Sequence, residues 1–84
     1  LLLSIFFMHK KSNIHIGQLI EKEVRRQGRN IPWIAQQLNC ERTNVYSIFR
    51  RESIDTVLLL QISVILQHNF FLYYSLEYNS VLSE

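Results

Sequence analysis

Residues 31–50 carry the sequence IPWIAQQLNCERTNVYSIFR, which predicts two short helices joined by a tight turn. Asn30 precedes the first helix and is a good N-cap, and Pro32 falls in the first turn, where its missing N–H leaves no helical hydrogen bond unmade. We expect this helix to stop near Asn39 and the next helix to run over about 42–49. The other helices must then pack around this pair.

The contact between these two helices requires particular residue types. Ala35 is small enough to let the helices cross closely, and Asn39 tolerates the left-handed backbone that a tight turn needs. Cys40 suits a buried turn as a small hydrophobic residue. The second helix then returns apolar side chains to the contact. The predicted motif core is Ile34, Ala35, Leu38, Asn39, Cys40, Val45 and Ile48.

This pattern resembles the helix-turn-helix of the lambda-repressor/Cro-like family, often called the Xre family, over about residues 14–76. The resemblance implies an all-α fold, a compact bundle of five short helices whose second and third helices form the helix-turn-helix. It also implies a small transcriptional regulator, such as a repressor, that binds double-stranded DNA sequence-specifically with the helix at 42–49 in the major groove. Two positions depart from many members: Ile31 replaces a phosphate-contacting glutamine of many phage repressors, and Asn39 replaces glycine.

The outward side chains of the second motif helix are the candidate DNA contacts. By resemblance, the base-reading positions are Arg42, Thr43, Tyr46 and Ser47. Arg42 leads this set because a guanidinium pairs with guanine O6 and N7. The predicted phosphate contacts are Asn44, Arg50 and Arg51.

Three of these interpretations have alternatives. Arg50 and Arg51 also suit the helix dipole at a C-terminus. Tyr46 also suits packing over the turn. Glu41 either caps the second motif helix or accepts a hydrogen bond from cytosine N4.

Helical periodicity continues on the N-terminal side of the motif. A first helix over about 13–27 buries a stripe of Ile16, Ile20 and Val24. Its charged residues, Glu23 among them, are expected on the outer face. Gly28 follows at the place where a helix C-terminus favours a positive φ.

Two further helices are predicted after the motif. The fourth has Ser53 as N-cap and Asp55 in its first turn, and it runs to about Gln67. The fifth is capped by Asn69 and ends at Tyr78. The predicted organisation is a disordered segment or upstream extension at 1–12, one helix-turn-helix domain at 13–78 and a frayed C-terminus at 79–84.

The fourth helix is apolar on nearly every face, with the sequence VLLLQISVIL at 57–66. A domain of this size cannot bury all of those faces within one subunit. We therefore expect a homodimer that forms through helices 4 and 5.

Charge is distributed unevenly along the chain. Residues 1–51 hold all nine basic side chains and three acids, a formal net charge of +6, whereas residues 52–84 hold four acids and no base, a net charge of −4. A basic region suits a polyanion. Because the motif lies in the basic part, we expect DNA rather than a membrane or a protein as the main partner.

Other function classes lack their usual residues. Cys40 is the single cysteine, which rules out an internal disulfide and a cysteine metal site and suits the cytoplasm. No catalytic arrangement, phosphate loop, cofactor motif or small-molecule site is evident, so we expect no enzyme. The alternative is a protein-interaction module with the same fold, such as the antitoxin of a toxin–antitoxin pair. A third possible function is that of a peripheral membrane protein that uses residues 1–11.

Overall fold

The computed structural model describes residues 13–83, which form five α-helices and no strand. The helices are α1 (Ile16–Arg26), α2 (Ile31–Gln37), α3 (Arg42–Arg50), α4 (Thr56–Leu66) and α5 (Phe71–Leu82). Within these residues, the prediction of an all-α fold with five helices is therefore confirmed. The predictions for residues 1–12 lie outside the described residues.

Three helices end in the same backbone motif. At each end one residue has a positive φ: Gly28 at 71°, Asn39 at 54° and Gln67 at 50°. Two main-chain N–H groups at each end donate back to the last turn, for example Gly28 to the Arg25 carbonyl and Arg29 to the Val24 carbonyl, both at 3.0 Å. This is the Schellman arrangement. It confirms the expected left-handed residues Gly28 and Asn39, and adds Gln67.

The N-terminus of α4 differs from the prediction. Asp55, not Ser53, is the N-cap, because its Oδ1 accepts a hydrogen bond from the Leu58 N–H at 2.8 Å and the helix begins at Thr56. Ile54, just before the cap, packs against the core together with the buried Leu59. These two positions correspond to a hydrophobic staple, which explains why the helix starts after Ile54.

The outer helices also differ in length from the prediction. α1 begins at Ile16 rather than near Asn13, because His15 has an extended backbone and its Nδ1 accepts the Gln18 N–H at 3.1 Å. α5 continues to Leu82, beyond the expected end at Tyr78. Phe70, not the predicted Asn69, occupies the N-cap position of α5, although Asn69 Oδ1 accepts the Phe71 N–H at 3.1 Å.

The core lies between α1, α2, α3 and α4 and is closed by Phe70, the residue that precedes α5. Its buried apolar side chains are Ile16, Ile20, Val24, Ile34, Ala35, Val45, Ile48, Phe49, Leu59, Ile62, Leu66 and Phe70. The predicted stripe of α1 is part of it. No residue of α5 itself is buried. α5 is held instead by Phe70 and by half-buried aromatic side chains that pack on the core, Phe71, Tyr73 and Tyr74.

α1 and α3 approach each other at their backbones. The N–H groups of Ile16 and Gly17 donate to the carbonyls of Glu52 and Arg51, each at 3.0 Å. A Cβ on Gly17 would lie 2.6 Å from the carbonyl carbon of Phe49 and would overlap the carbonyl oxygen of Ile48. Only glycine permits this approach, which fixes the C-terminal end of α3 against α1.

Glu23 is buried, contrary to its expected place on the outer face of α1, and only 6% of its surface is exposed. Arg26 donates to both of its carboxylate oxygens, at 2.9 and 2.6 Å, and Gln27 donates at 2.7 Å. Gln27 also donates to the Leu66 carbonyl, and His68 Nδ1 lies 3.6 Å from Glu23 Oε2. The carboxylate faces inward because this cluster joins α1 to the connection between α4 and α5.

Within residues 13–83, no single helix is long and apolar enough to cross a membrane. α4 and α5 meet that test only when taken together, by length and composition alone, and the two are bent by 119° at the break between them.

Candidate nucleic-acid interface

The inward side of α2, the turn and α3 is tightly constrained. Among the predicted motif residues, Ile34, Ala35, Val45 and Ile48 are buried, and Leu38 and Cys40 are half-buried against the core. Asn39 has the expected left-handed backbone. The Cys40 N–H donates to the Ala35 carbonyl at 3.0 Å, which ties the turn to α2. α3 therefore has a fixed orientation about its own axis.

The outward side of α3 is polar. The exposed candidate residues are Arg42, Thr43, Asn44, Tyr46, Arg50 and Arg51. Ser47 is half-buried, and Arg51 Nη2 lies 3.5 Å from its Oγ. Tyr46 has 46% of its surface exposed while its ring makes an edge-to-face contact with Phe49 at 6.4 Å between centroids. Tyr46 therefore packs against Phe49 and is still accessible to a binding partner.

Three shallow recesses surround α3 and separate these candidates. Arg42 and Thr43 line the first, together with Pro32 and Gln36 of α2. The second lies against α1, and its lining includes Tyr46, Arg50 and Gln18. The third lies against α4, and its lining includes Asn44, Arg51 and Gln61. The predicted phosphate contacts are thus divided between the two flanks of α3.

The arginines of α3 differ from those of α1 in their partners. On α1, Arg25 pairs with Glu21 at 2.7 Å and Arg26 with Glu23 at 2.6 Å. In the described part of the chain, neither Arg42 nor Arg50 pairs with a carboxylate. Arg42 and Arg50 thus lack an ion pair within the described residues, although Glu41 shares the recess of Arg42 and Glu21 shares the recess of Arg50.

The contacts of Trp33 and Glu41 show what these two side chains do in the structure. Arg29 stacks on the ring of Trp33, with its guanidinium carbon 4.1 Å from the ring centroid. Trp33 is half-buried and packs on the core, so it is a packing residue here. Glu41 occupies the N-cap position of α3, but its side chain makes no capping hydrogen bond.

Sequence reasoning missed the polar residues that neighbouring helices contribute around α3. Gln18 of α1, Gln36 of α2 and Gln61 of α4 are all exposed and each lines a different recess. Spacing offered a signal for one of them: Gln36 lies four residues after Pro32, on the outward face of α2 next to the turn.

Comparison of this chain with models of protein families, with curated proteins and with solved structures found no match. Within residues 13–83, no group of three or more His, Cys, Asp or Glu side chains is placed to hold a metal ion.

Proposed function

We propose that this chain is a small transcriptional regulator with a lambda-repressor-like fold, which binds double-stranded DNA sequence-specifically by placing α3 in the major groove. The observation that carries the proposal is the contrast between the two sides of α3. Its inner side is locked into the core by Val45, Ile48 and Phe49, while its outer side presents polar side chains and unpaired arginines.

The dimensions and the donors of α3 suit this role. An α-helix with its side chains is about 10–12 Å across, close to the roughly 12 Å width of the major groove. The central outward residues, Thr43, Tyr46 and Ser47, would face base edges together with Arg42. Arg50 on one flank and Asn44 and Arg51 on the other would reach the two phosphate backbones that border the groove.

Charge supports DNA as the partner. α3 and its C-cap hold three arginines, Arg42, Arg50 and Arg51, whereas α4 holds no charged residue. Neutralising phosphates with such cations releases counterions and supplies sequence-independent affinity. Side chains that reach base edges then add the preference for one sequence.

A second candidate function, a protein-interaction module such as an antitoxin, is favoured by one observation. Val57, Leu60 and Val64 form an exposed apolar stripe along α4. In the regulator proposal a second copy of this chain covers that stripe. In the antitoxin proposal a toxin covers it, and the polar face of α3 has no required role.

Arg42→Ala tests the regulator proposal. We expect it to lower the affinity for a duplex selected from a random pool by about tenfold or more and to relax the base preference at one position, because one bidentate base contact is worth about 1–3 kcal/mol. Fluorescence anisotropy at a fixed salt concentration measures this loss.

Arg25→Ala is the matched control, since Arg25 is an exposed arginine that already pairs with Glu21 on α1. It removes the same charge from a residue outside α3, so we expect only the smaller, sequence-independent loss that removal of one cation causes. Equal losses in both variants, or a selection that returns no preferred duplex, would contradict the proposal.

A further inference from the structure

The main-chain carbonyl of Glu41 accepts hydrogen bonds at the start of α3, whereas its side-chain carboxylate does not cap the helix. Its backbone is extended, with φ −86° and ψ 160°, and its carbonyl accepts the N–H groups of Asn44 and Val45 at 3.0 and 3.4 Å. Its exposed side chain makes no hydrogen bond to the first turn of α3. Of the two roles that the sequence left open for Glu41, capping is therefore not the one observed.

Within residues 13–83, the recess that Glu41 lines contains no cation except its chain neighbour Arg42. The recess that it lines is formed by Pro32, Ala35 and Gln36 of α2, by Cys40 of the turn and by Arg42 and Thr43. Among residues 13–83, the described ion pairs do not include Glu41 or Arg42. A carboxylate and a guanidinium thus stand side by side at the start of α3, and neither neutralises the other.

A free carboxylate on a face that approaches DNA is unfavourable unless it meets a hydrogen-bond donor. In the major groove the bases offer two such donors, the N4 amino group of cytosine and the N6 amino group of adenine. Carboxylates typically accept from cytosine N4, whereas adenine is read by the amides of Asn and Gln. Arg42, the next residue, is suited to guanine, the partner of cytosine.

We propose that Glu41 is a specificity-determining residue that accepts a hydrogen bond from a cytosine N4 amino group in the major groove, beside the guanine that Arg42 contacts. This inference rests on the proposed function. It assigns opposite effects to two adjacent residues. Arg42 raises affinity for all duplexes and for guanine most, while Glu41 lowers affinity for every duplex that places no amino group opposite it.

The test compares the wild-type chain with Glu41→Gln and Glu41→Ala. Each protein selects its preferred duplex from a random pool at a fixed salt concentration. Each protein is then titrated with the duplex that the wild-type chain selects. It is also titrated with versions of that duplex in which the cytosine assigned to Glu41 is replaced by thymine or adenine. Thymine presents an oxygen acceptor where cytosine presents its amino group, so it opposes the carboxylate directly.

We expect the wild-type chain to lose about tenfold or more in affinity when that cytosine becomes thymine, the usual size of one mismatched base pair. Glu41→Ala should lose the preference at that position, and Glu41→Gln should shift it towards adenine, which a glutamine amide reads. Both variants should bind unrelated duplexes a few-fold more tightly than the wild type, because one negative charge is gone.

Glu77→Gln is the matched control, since it removes one carboxylate from α5, away from α3. If Glu41→Ala and Glu41→Gln keep the wild-type preference at every position, the inference is overturned while DNA binding stands. The inference is also overturned if Glu77→Gln shifts the base preference as Glu41→Gln does. If the wild-type chain selects no duplex, the proposed function fails and this inference fails with it.

Discussion

Gly17 sets the distance between α1 and α3 at the scale of a single residue. At an ordinary helix position, Gly→Ala stabilises a protein by roughly 0.5–1 kcal/mol. We expect the opposite sign for Gly17→Ala, with a loss of about 3 kcal/mol in the free energy of unfolding, because the added Cβ meets the main chain of α3. Urea denaturation monitored by circular dichroism measures this change.

Gly28→Ala is the comparison for that variant. Gly28 has a φ of 71°, and no other atom lies within 4 Å of the position that a Cβ would occupy, so only the left-handed backbone opposes a side chain there. A loss of about 1 kcal/mol is expected. A Gly17→Ala variant as stable as the wild type would show that α1 and α3 do not approach as closely as described.

Local chemistry explains which residue-scale predictions were right. Asn30, Gly28 and Asn39 are residue types with intrinsic preferences for caps or for positive φ, and each has the expected conformation. Gln67 has no such preference, so its left-handed backbone was not predicted. It is imposed by the turn that delivers Phe70 into the core.

At the scale of elements, Glu23 connects α1 to the segment between α4 and α5. The hydrogen bonds from Arg26 outweigh the cost of burial and lower the pKa of Glu23 from 4.5 to about 2, with further help from Gln27 and the neighbouring His68. A carboxyl with a depressed pKa stabilises the folded state fully above its ordinary pKa. That contribution is lost as the pH falls from about 4.5 towards 2.

Glu23→Gln is therefore expected to lower the free energy of unfolding by about 2 kcal/mol at pH 7, the usual value of hydrogen bonds to a charged group. The difference between wild type and variant should shrink below pH 4.5 and nearly vanish near pH 2. Denaturation curves recorded across this pH range measure it. Glu21→Gln, which breaks the exposed pair with Arg25, should cost less than about 1 kcal/mol. A difference that stays constant with pH would contradict this role.

Sequence patterns predicted the existence of the five described helices and the contact between α2 and α3, but not how the other helices meet. The helical period identifies Ile16, Ile20 and Val24 as buried because each lies on one face of α1. Glu23 lies next to that face, and its burial depends on tertiary contacts: Gln27, which donates to Glu23, also donates to the Leu66 carbonyl, and His68 lies beside the carboxylate. The candidate site follows the same rule: the inward residues of α3 were predictable from spacing, while Gln18, Gln36 and Gln61 come from neighbouring helices.

At the scale of the whole molecule, the exposed apolar stripe of α4 (Val57, Leu60 and Val64) is the basis for the proposed homodimer. α4 holds no charged residue, and the groove beside it, lined by Leu38, Gln61 and Ile65 among others, holds none either. Two copies of this face can meet without opposing like charges. A copy related by a two-fold axis would present the same stripe to the same groove.

Leu60→Glu tests this association without DNA. The wild-type chain is expected to form dimers in sedimentation equilibrium, and Leu60→Glu to remain monomeric, because a carboxylate would be buried in an apolar contact. Gln18→Glu adds the same charge on the exposed side of α1 and should leave the dimer intact. A wild-type chain that stays monomeric up to about 1 mM, where even weak association of ~4 kcal/mol is detectable, would contradict the dimer.

The hydrogen bonds from Ile16 and Gly17 to the carbonyls of Glu52 and Arg51 also impose an order of events on synthesis. α1 is translated before α2 and α3, yet the first two N–H groups of α1 have their acceptors at the far end of α3. α1 must therefore wait, amphipathic and without its partners, until the ribosome has released residues 51 and 52. The first turn of α1 is thus completed only together with the C-terminal end of α3, so each of the two helices is anchored at the moment when the other is.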